Sequence, residues 1–143
     1  MRTAMTAFVA IVTLGVVSCS SIAPVKVIAG DQCFQCRRNI ADVRLAGEIV
    51  GSSGLVSKFR APGCMAKYLA AHPCEDGAVY VTDYTSGTMM SPKAALFVRV
   101  VLNRDTGERD YRAYRGQAEA DAAALETHTV PFLWDAVLAA VHE

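Results

Sequence analysis

A short apolar run at the N-terminus limits how much of this chain can belong to a folded domain. Residues 4–17 carry no charge and follow a single basic residue, Arg2. The run is shorter than the roughly 20 apolar residues that a helix needs to cross a bilayer, and it has the length of a signal-peptide core. It ends in Val16-Val17-Ser18-Cys19, which is an aliphatic residue, a spacer, a small residue and a cysteine. We therefore expect residues 1–18 to be removed as a signal peptide.

The residues around Cys19 resemble a lipobox, the bacterial signal for diacylation of the cysteine and cleavage in front of it. Cys19 is then the lipidation site, and residues 19–30 form a lipidated tether. Ser20, Ser21 and Pro24 lead us to expect that this tether is short and flexible. Two or three acyl chains anchor a protein far better than one. The protein is thus expected outside the cytoplasm, held to a bacterial membrane on its periplasmic side. The alternative is an ordinary secretory signal with a chance cysteine.

The composition of the chain argues against several classes of function. It has 14 basic and 14 acidic residues and no run or stripe of lysine and arginine, so nucleic acid is not an expected partner. It also lacks Gly-x-Ser-x-Gly, His-Glu-x-x-His and a phosphate-binding glycine loop, which mark hydrolases and nucleotide-binding proteins. The part after the signal, residues 19–143, has the size of one domain. We expect a single domain that is not an enzyme.

The hydrophobic pattern predicts short strands mixed with helices. Alternating or continuous apolar runs bounded by turn residues predict strands, and helical spacing of apolar residues or alanine-rich composition predicts helices. The predicted strands are residues 25–29, 43–50, 55–60, 78–84, 88–91, 94–103, 109–115 and 127–133, and the predicted helices are 64–72, 117–126 and 135–142. No series of parallel βαβ units is evident, so the expected fold class is α+β.

Four cysteines follow the predicted lipidation site: Cys33, Cys36, Cys64 and Cys74. An even number in an exported domain favours disulfides. Their spacing also permits a metal site, because the Cys-x-x-Cys pair can present both sulfurs to one ion. A disulfide between Cys33 and Cys36, or one between Cys64 and Cys74 across a short helix, remains open.

A third sulfur ligand is expected from Cys64, Met65, Met89 or Met90. Thiolate and thioether sulfur suit Cu(I), which accepts low coordination numbers. Cys64 and Met65 begin a predicted helix, where the helix dipole should lower a thiol pKa, and two arginines directly after Cys36 should act in the same direction. Met89 and Met90 lie in an extended segment, so one of the two should face away from the core.

Several short motifs resemble the NosL family of copper-binding accessory lipoproteins. They are Asp31-x-Cys33-x-x-Cys36, Phe59, Gly63-Cys64-Met65, Tyr68-Leu69, Val81-Thr82-Asp83-Tyr84-x-x-Gly87 and Ala94-Ala95-Leu96-Phe97-Val98. The resemblance implies a Cu(I)-binding domain over residues 31–143, built from two small antiparallel hairpin-plus-helix halves. It also implies a metallochaperone that is anchored to the membrane and helps to supply copper to nitrous oxide reductase. A membrane transporter or another copper-requiring enzyme is an alternative partner.

The chain departs from that family at two places. Arg37 and Arg38 follow Cys36 where the family has glycine and methionine, and the family's Pro-Met-Gly segment is missing near residues 103–111. The expected ligands are therefore drawn from Cys33, Cys36, Cys64, Met65, Met89 and Met90. The alternatives are a thiol–disulfide redox lipoprotein that uses Cys33 and Cys36, and a structural lipoprotein stabilised by zinc or disulfides.

Overall fold

The computed structural model describes residues 21–142 of the chain. The predicted signal peptide, residues 1–18, and the predicted lipidation site Cys19 lie outside this range. Among the helices that are described, none is long and apolar enough to cross a membrane.

Helices and antiparallel strands alternate along the chain, so the α+β class is confirmed. The strands and helices are β1 (Gly47–Gly51), β2 (Val56–Phe59), α1 (Pro62–Ala71), β3 (Gly77–Thr82), β4 (Met89–Met90), β5 (Leu96–Asn103), β6 (Glu108–Tyr114), α2 (Gln117–Glu126) and α3 (Trp134–Ala139). Three single 3₁₀ turns cover Val43–Leu45, Pro92–Ala94 and Ala140–His142.

The strands form two antiparallel sheets. The first has four strands in the order β2-β1-β3-β4, and the second is the β5–β6 hairpin. Helix α1 packs on β1 and β2 and also touches β6 and α3, whereas α2 packs on the hairpin. Helix α1 thus contacts both sheets, α2 lies on the hairpin, and α3 lies against α1 and β5.

Two clusters of buried side chains hold these layers together. The larger one lies between the two sheets, α1 and α3, and it includes Phe97 and Trp134, whose ring centroids are 5.2 Å apart. The smaller one joins β5 to the alanine face of α2 through Val98, Val100 and Ala120. Burial of apolar surface at about 25 cal/mol per Å² is the main force that stabilises both.

The segment before residue 31 is neither a strand nor a free tether, in contrast to both expectations. The backbone N–H of Val25 donates to Glu48, the Tyr80 hydroxyl donates to the carbonyl of residue 22, and Lys58 Nζ donates to the carbonyl of residue 26 over 3.3 Å. Glu48, Lys58 and Tyr80 are neighbours across three strands, so they share one face of the sheet. Hydrogen bonds to side chains of the sheet thus take the place of strand pairing for this backbone. They hold residues 22–26 along the sheet.

Residues 127–133 also fail to form the predicted strand, because the first of them cap α2. His128 N donates to Leu125 O over 3.3 Å, and Thr129 N donates to Ala124 O over 2.9 Å. These are the two hydrogen bonds of a Schellman motif, in which the residue directly after the C-cap takes a left-handed conformation. His128 has a φ of 53°. Pairing with β5 is limited to Phe132.

The left-handed cap predicts that His128→Gly stabilises the protein. Glycine adopts this conformation without the steric conflict of a Cβ atom, so we expect the free energy of unfolding to rise by about 1 kcal/mol. Urea denaturation measures the change. Thr127→Gly is the matched control, since Thr127 has an ordinary φ of −99° and its replacement should lower stability. A His128→Gly protein no more stable than the parent would contradict the assigned cap.

Candidate metal centre

Three cysteines from two separate segments meet at one end of α1. The sulfur atoms of Cys33, Cys36 and Cys64 all lie within 4.8 Å of one another. Sulfurs bound at about 2.3 Å to one ion stand roughly 4 Å apart, so only a small adjustment is needed to enclose an ion. Cys33 is buried, and Cys36 and Cys64 are half-buried. These three residues are close enough to hold a metal ion.

A tight turn places Cys33 and Cys36 on the same side of their loop. Cys33 N donates to Arg38 O and Arg37 N donates to Cys33 O, both over 2.9 Å. Phe34 N donates to Lys58 O over 2.7 Å and fastens the turn to β2. Arg37 has a φ of 62°, the left-handed conformation that glycine adopts most readily.

Helix α1 brings Cys64 to this turn, and β6 determines where α1 begins. Ala61, the N-cap residue, provides no side-chain hydrogen bond. Asp110 of β6 takes over this function, because its Oδ1 accepts from Gly63 N over 2.7 Å. A Cβ atom on Gly63 would stand 2.8 Å from both carboxylate oxygens. Glycine is therefore required at this position for Asp110 to cap the helix directly before Cys64. The helix begins at Pro62, earlier than predicted.

The expectation that the helix N-terminus lowers the pKa of Cys64 is wrong. Burial raises the pKa of the Cys64 thiol, and negative charge at Cys33, Cys36 and Asp110 raises it further. The Asp110 carboxylate stands at the positive end of α1, where it opposes the dipole that would otherwise favour a thiolate.

Cys36 behaves in the opposite way. Burial by itself would raise its pKa, but hydrogen bonds from the backbone and side chain of Arg38 and from the thiols of Cys33 and Cys64 lower the pKa of Cys36 to about 7. The expected effect of Arg38 is thus confirmed. Arg37 points elsewhere, with its guanidinium over the Phe34 ring at 5.1 Å from the centroid.

The cysteines border a cleft of about 640 Å³ that Cys36 and Cys64 help to line. The basic side chains along the cleft are Arg38, Lys67, Arg99 and Arg109. Glu108 accepts from Arg38 over 2.6 Å and from Arg60 over 2.9 Å, which holds Arg38 near the sulfurs. The site is therefore reachable from solvent and lies in positively charged surroundings.

The three methionines predicted as ligands lie in packed positions. Met65 is fully buried in the larger core cluster, where its Sδ closely approaches Gly47 of β1. Met90 is buried in the same cluster, which also contains the first cysteine of the site. Met89 packs in a third, smaller cluster, and its Sδ accepts from the Thr82 hydroxyl over 3.6 Å. Packing accounts for all three side chains, and their role as metal ligands stays a prediction.

The fourth cysteine lies away from the other three. Cys74 lines an apolar pocket of about 310 Å³ with Leu69 and Leu138, beyond the C-terminal end of α1. The rise from Cys64 to Ala71 alone covers about 10 Å, whereas disulfide-bonded residues have Cα atoms about 5.5 Å apart. Every cysteine in the described range is a free thiol. The disulfide between Cys64 and Cys74 is therefore wrong, and so is a zinc site made of all four cysteines.

Sequence reasoning missed Asp110, which caps the helix directly before Cys64, and Glu108, which holds Arg38 beside Cys36. Glu108 is the first residue of β6, and Asp110 lies two residues further along this correctly predicted strand. An acidic residue in a two-stranded hairpin is common on a solvated face, so the local pattern contains no signal that either contacts the cysteine site.

Comparison of the chain with protein-family models, curated proteins and solved structures finds no match. The fold and site define an α+β domain with a three-cysteine candidate metal centre. The NosL resemblance remains a prediction from the sequence motifs.

The lowered pKa of Cys36 and the raised pKa of Cys64 predict that alkylation is selective. In the reduced, metal-free protein, Cys36 should react with iodoacetamide before Cys64, with a rate that rises with pH to a plateau above about 7, since the thiolate is the nucleophile. Arg38→Gln should raise the pKa of Cys36. A rise of one unit lowers the thiolate fraction at pH 6 about tenfold. Peptide mass spectrometry over a pH series measures both.

Arg37→Gln is the matched control, because that arginine lies over Phe34 and should leave the pH profile unchanged. The assigned electrostatics would be contradicted if the pH midpoint of Cys36 alkylation were the same in Arg38→Gln and in the parent. Faster modification of Cys64 than of Cys36 would contradict them as well.

Proposed function

We propose that this chain is a membrane-anchored Cu(I)-binding accessory protein. It captures Cu(I) with Cys33, Cys36 and Cys64 and delivers it outside the cytoplasm to a copper-requiring client, such as nitrous oxide reductase, or to a membrane transporter. The observation that carries the proposal is the cluster of three thiols within 4.8 Å of one another.

The number of thiols favours Cu(I) over structural zinc. Structural zinc sites are almost always closed by four protein ligands. In the described part of the chain the group of candidate ligand atoms contains three cysteines and no histidine or carboxylate. Cu(I) is a soft ion that suits thiolates, and a site with three of them satisfies its low coordination number.

The surroundings of the thiols suit an ion that must be released again. Cys36 and Cys64 border an open cleft, so an incoming thiolate or thioether of the client can reach the ion while Cys33 remains bound. Cys36 ionises near neutral pH, and Cys64 retains its proton more strongly. Transfer then proceeds by ligand exchange, with no change of oxidation state.

The membrane anchor belongs to the same proposal. A diacylated Cys19 would hold the domain at the membrane surface next to its client or transporter. Residues 22–26 bind along the first sheet, which leaves only a short stretch between the folded domain and the lipid. The domain would therefore stay close to the bilayer.

A second candidate is thiol–disulfide exchange, and one observation favours it. The pKa of Cys36 is lowered to about 7, a value found in redox-active Cys-x-x-Cys motifs, and its neighbour Cys33 is buried as a resolving cysteine often is. In that chemistry Cys64 takes no part in the disulfide and only helps to lower the pKa of Cys36. The contribution of Cys64 to copper binding therefore separates the two candidates.

The copper proposal predicts a specific order of effects among the four cysteines. The reduced full chain in detergent micelles, titrated without oxygen against a chromogenic Cu(I) chelator, should bind one equivalent tightly. Cys33→Ser with Cys36→Ser should abolish this binding, because two of three ligands are lost. Cys64→Ser should weaken binding at least about tenfold, or 1.4 kcal/mol. Cys74→Ser is the matched control and should bind as the parent does.

Failure to compete with the chelator, with free thiols confirmed, would refute copper delivery and leave the redox candidate as the better account. Equal weakening by Cys64→Ser and Cys74→Ser would refute the three-cysteine site.

The anchor predicts that Cys19→Ser abolishes lipid attachment. In a bacterial host supplied with labelled palmitate, the parent should incorporate label and fractionate with membranes, since two or three chains give stable anchoring. The Cys19→Ser protein should carry no label. Cys74→Ser is again the control and should be labelled normally. Label in the Cys19→Ser protein would place the lipid elsewhere.

A further inference from the structure

The outer edge of β5 is open over most of its length. Phe97 and Phe132 exchange two backbone hydrogen bonds, of 2.8 and 2.7 Å, on the side of β5 that faces away from β6. Hydrogen bonding alternates along an antiparallel strand, so the backbone groups of Arg99 and Val101 point to the same outer side. No other backbone within residues 21–142 pairs with them there. Two N–H and two C=O groups are left available at this edge.

The other edge of the hairpin is paired at Ala113. Tyr84 N donates to Ala113 O of β6 over 2.8 Å, and Asp83 bridges to Ala113. The capping turn of α2 holds residues 127–129 away from β5, so that a groove of about 560 Å³ separates the turn from the strand. The groove has the backbone edge of β5 on one side and the end of α2 on the other.

Basic side chains dominate this groove. The charged and titratable residues that line it are Arg99, Arg104, Arg109, Arg112, His128 and Glu126. Arg112 lies over the Tyr84 ring at 4.3 Å from its centroid. Within the described part of the chain, Arg99, Arg104 and Arg109 form no ion pair. A single carboxylate thus faces four guanidinium groups.

Protection against aggregation explains only part of this arrangement. Charged residues on an edge strand discourage other chains from pairing with it. Protection against pairing needs charged residues on β5 alone. Arg109 and Arg112 come from the neighbouring strand β6 and complete a concave surface. Val101 is 47% exposed between the arginines, so the edge also offers an apolar contact.

We infer that this groove binds an extended acidic segment of a partner protein, which adds to β5 as an antiparallel strand. The segment would pair with the backbone of Arg99 and Val101, and its carboxylates would meet Arg99, Arg104 and Arg109. Strand addition supplies affinity through the main chain, and side-chain charge supplies selectivity.

The groove adjoins the cysteine site. Arg99 and Arg109 line both the groove and the cleft that contains Cys36 and Cys64. A partner docked along β5 would therefore stand beside the thiols. This consequence rests on the proposed copper function, whereas the docking itself does not.

A synthetic strand tests the inference on the full chain in detergent micelles. The probe is a fluorescein-labelled eight-residue peptide of alternating glutamate and valine. We expect saturable binding that weakens as salt is added, together with slower amide exchange at Arg99 and Val101. Arg99→Gln combined with Arg109→Gln should weaken binding at least tenfold. Arg115→Gln is the control, since that exposed arginine lies outside the groove.

Backbone pairing is tested separately from charge. Val101→Pro removes an N–H that points outward and should leave the β5–β6 ladder intact, and it should weaken peptide binding at least tenfold. The same peptide with alternate amides methylated should bind as poorly to the parent protein, which checks the point even if the proline variant fails to fold.

Absence of saturable binding at low salt would overturn the inference. Binding that needs the arginines but tolerates both Val101→Pro and the methylated peptide would also overturn it, in favour of a simple anion site. The Cu(I) titration should be unchanged in Val101→Pro, so failure here and failure of the copper proposal are separate results.

Discussion

The hydrogen bond from Gly63 N to Asp110 is the contact on which the grouping of the three cysteines depends. It joins β6 to the first turn of α1 and fixes the residue directly before Cys64. A carboxylate at this position contributes about 1 kcal/mol as a helix cap. Burial raises the pKa of Asp110, against the N–H groups of Gly63 and Tyr111 that favour the charged form. The helix start thus has a definite place relative to the Cys33–Cys36 turn, which β2 holds independently through Phe34.

The thiols of Cys36 and Cys64 lose their protons at different pH. Burial raises the pKa of Cys64, and negative charge at Cys33, Cys36 and Asp110 raises it further, against the dipole of α1. Arg38 helps to lower the pKa of Cys36 to about 7. Three adjacent thiolates without an ion would repel one another strongly. A metal ion that binds all three must displace the remaining protons, so metal affinity should fall as the solution becomes more acidic. The site therefore carries the negative charge of three thiolates only when an ion is bound to them.

Local pattern was sufficient for the second sheet and α2 but not for contacts between distant segments. The helix over residues 117–126 was predicted to the residue, and β5 and β6 nearly so, because alternation and alanine content act within a short window. The pairing of Cys33 with Cys36 follows from their spacing, whereas Cys64 is only one of four sulfurs that the sequence offers as a third ligand. Binding of residues 22–26 to Glu48, Tyr80 and Lys58 was not foreseen, because it depends on side chains more than 20 residues away. The same limit hid Asp110.

The failed strand at residues 127–133 shows how one local motif determines a surface. A run rich in Thr, Val and Phe favours a strand, yet the two capping bonds of α2 use the first residues of the run. His128 turns the chain away with a φ of 53°, and Phe132 returns it to β5 for a single pair. A strand that extended back from Phe132 to His128 would have covered the backbone of Arg99 and Val101 and filled the arginine groove. The open edge is therefore a consequence of how α2 ends, and the arginines beside it keep that edge from pairing with uncharged strands.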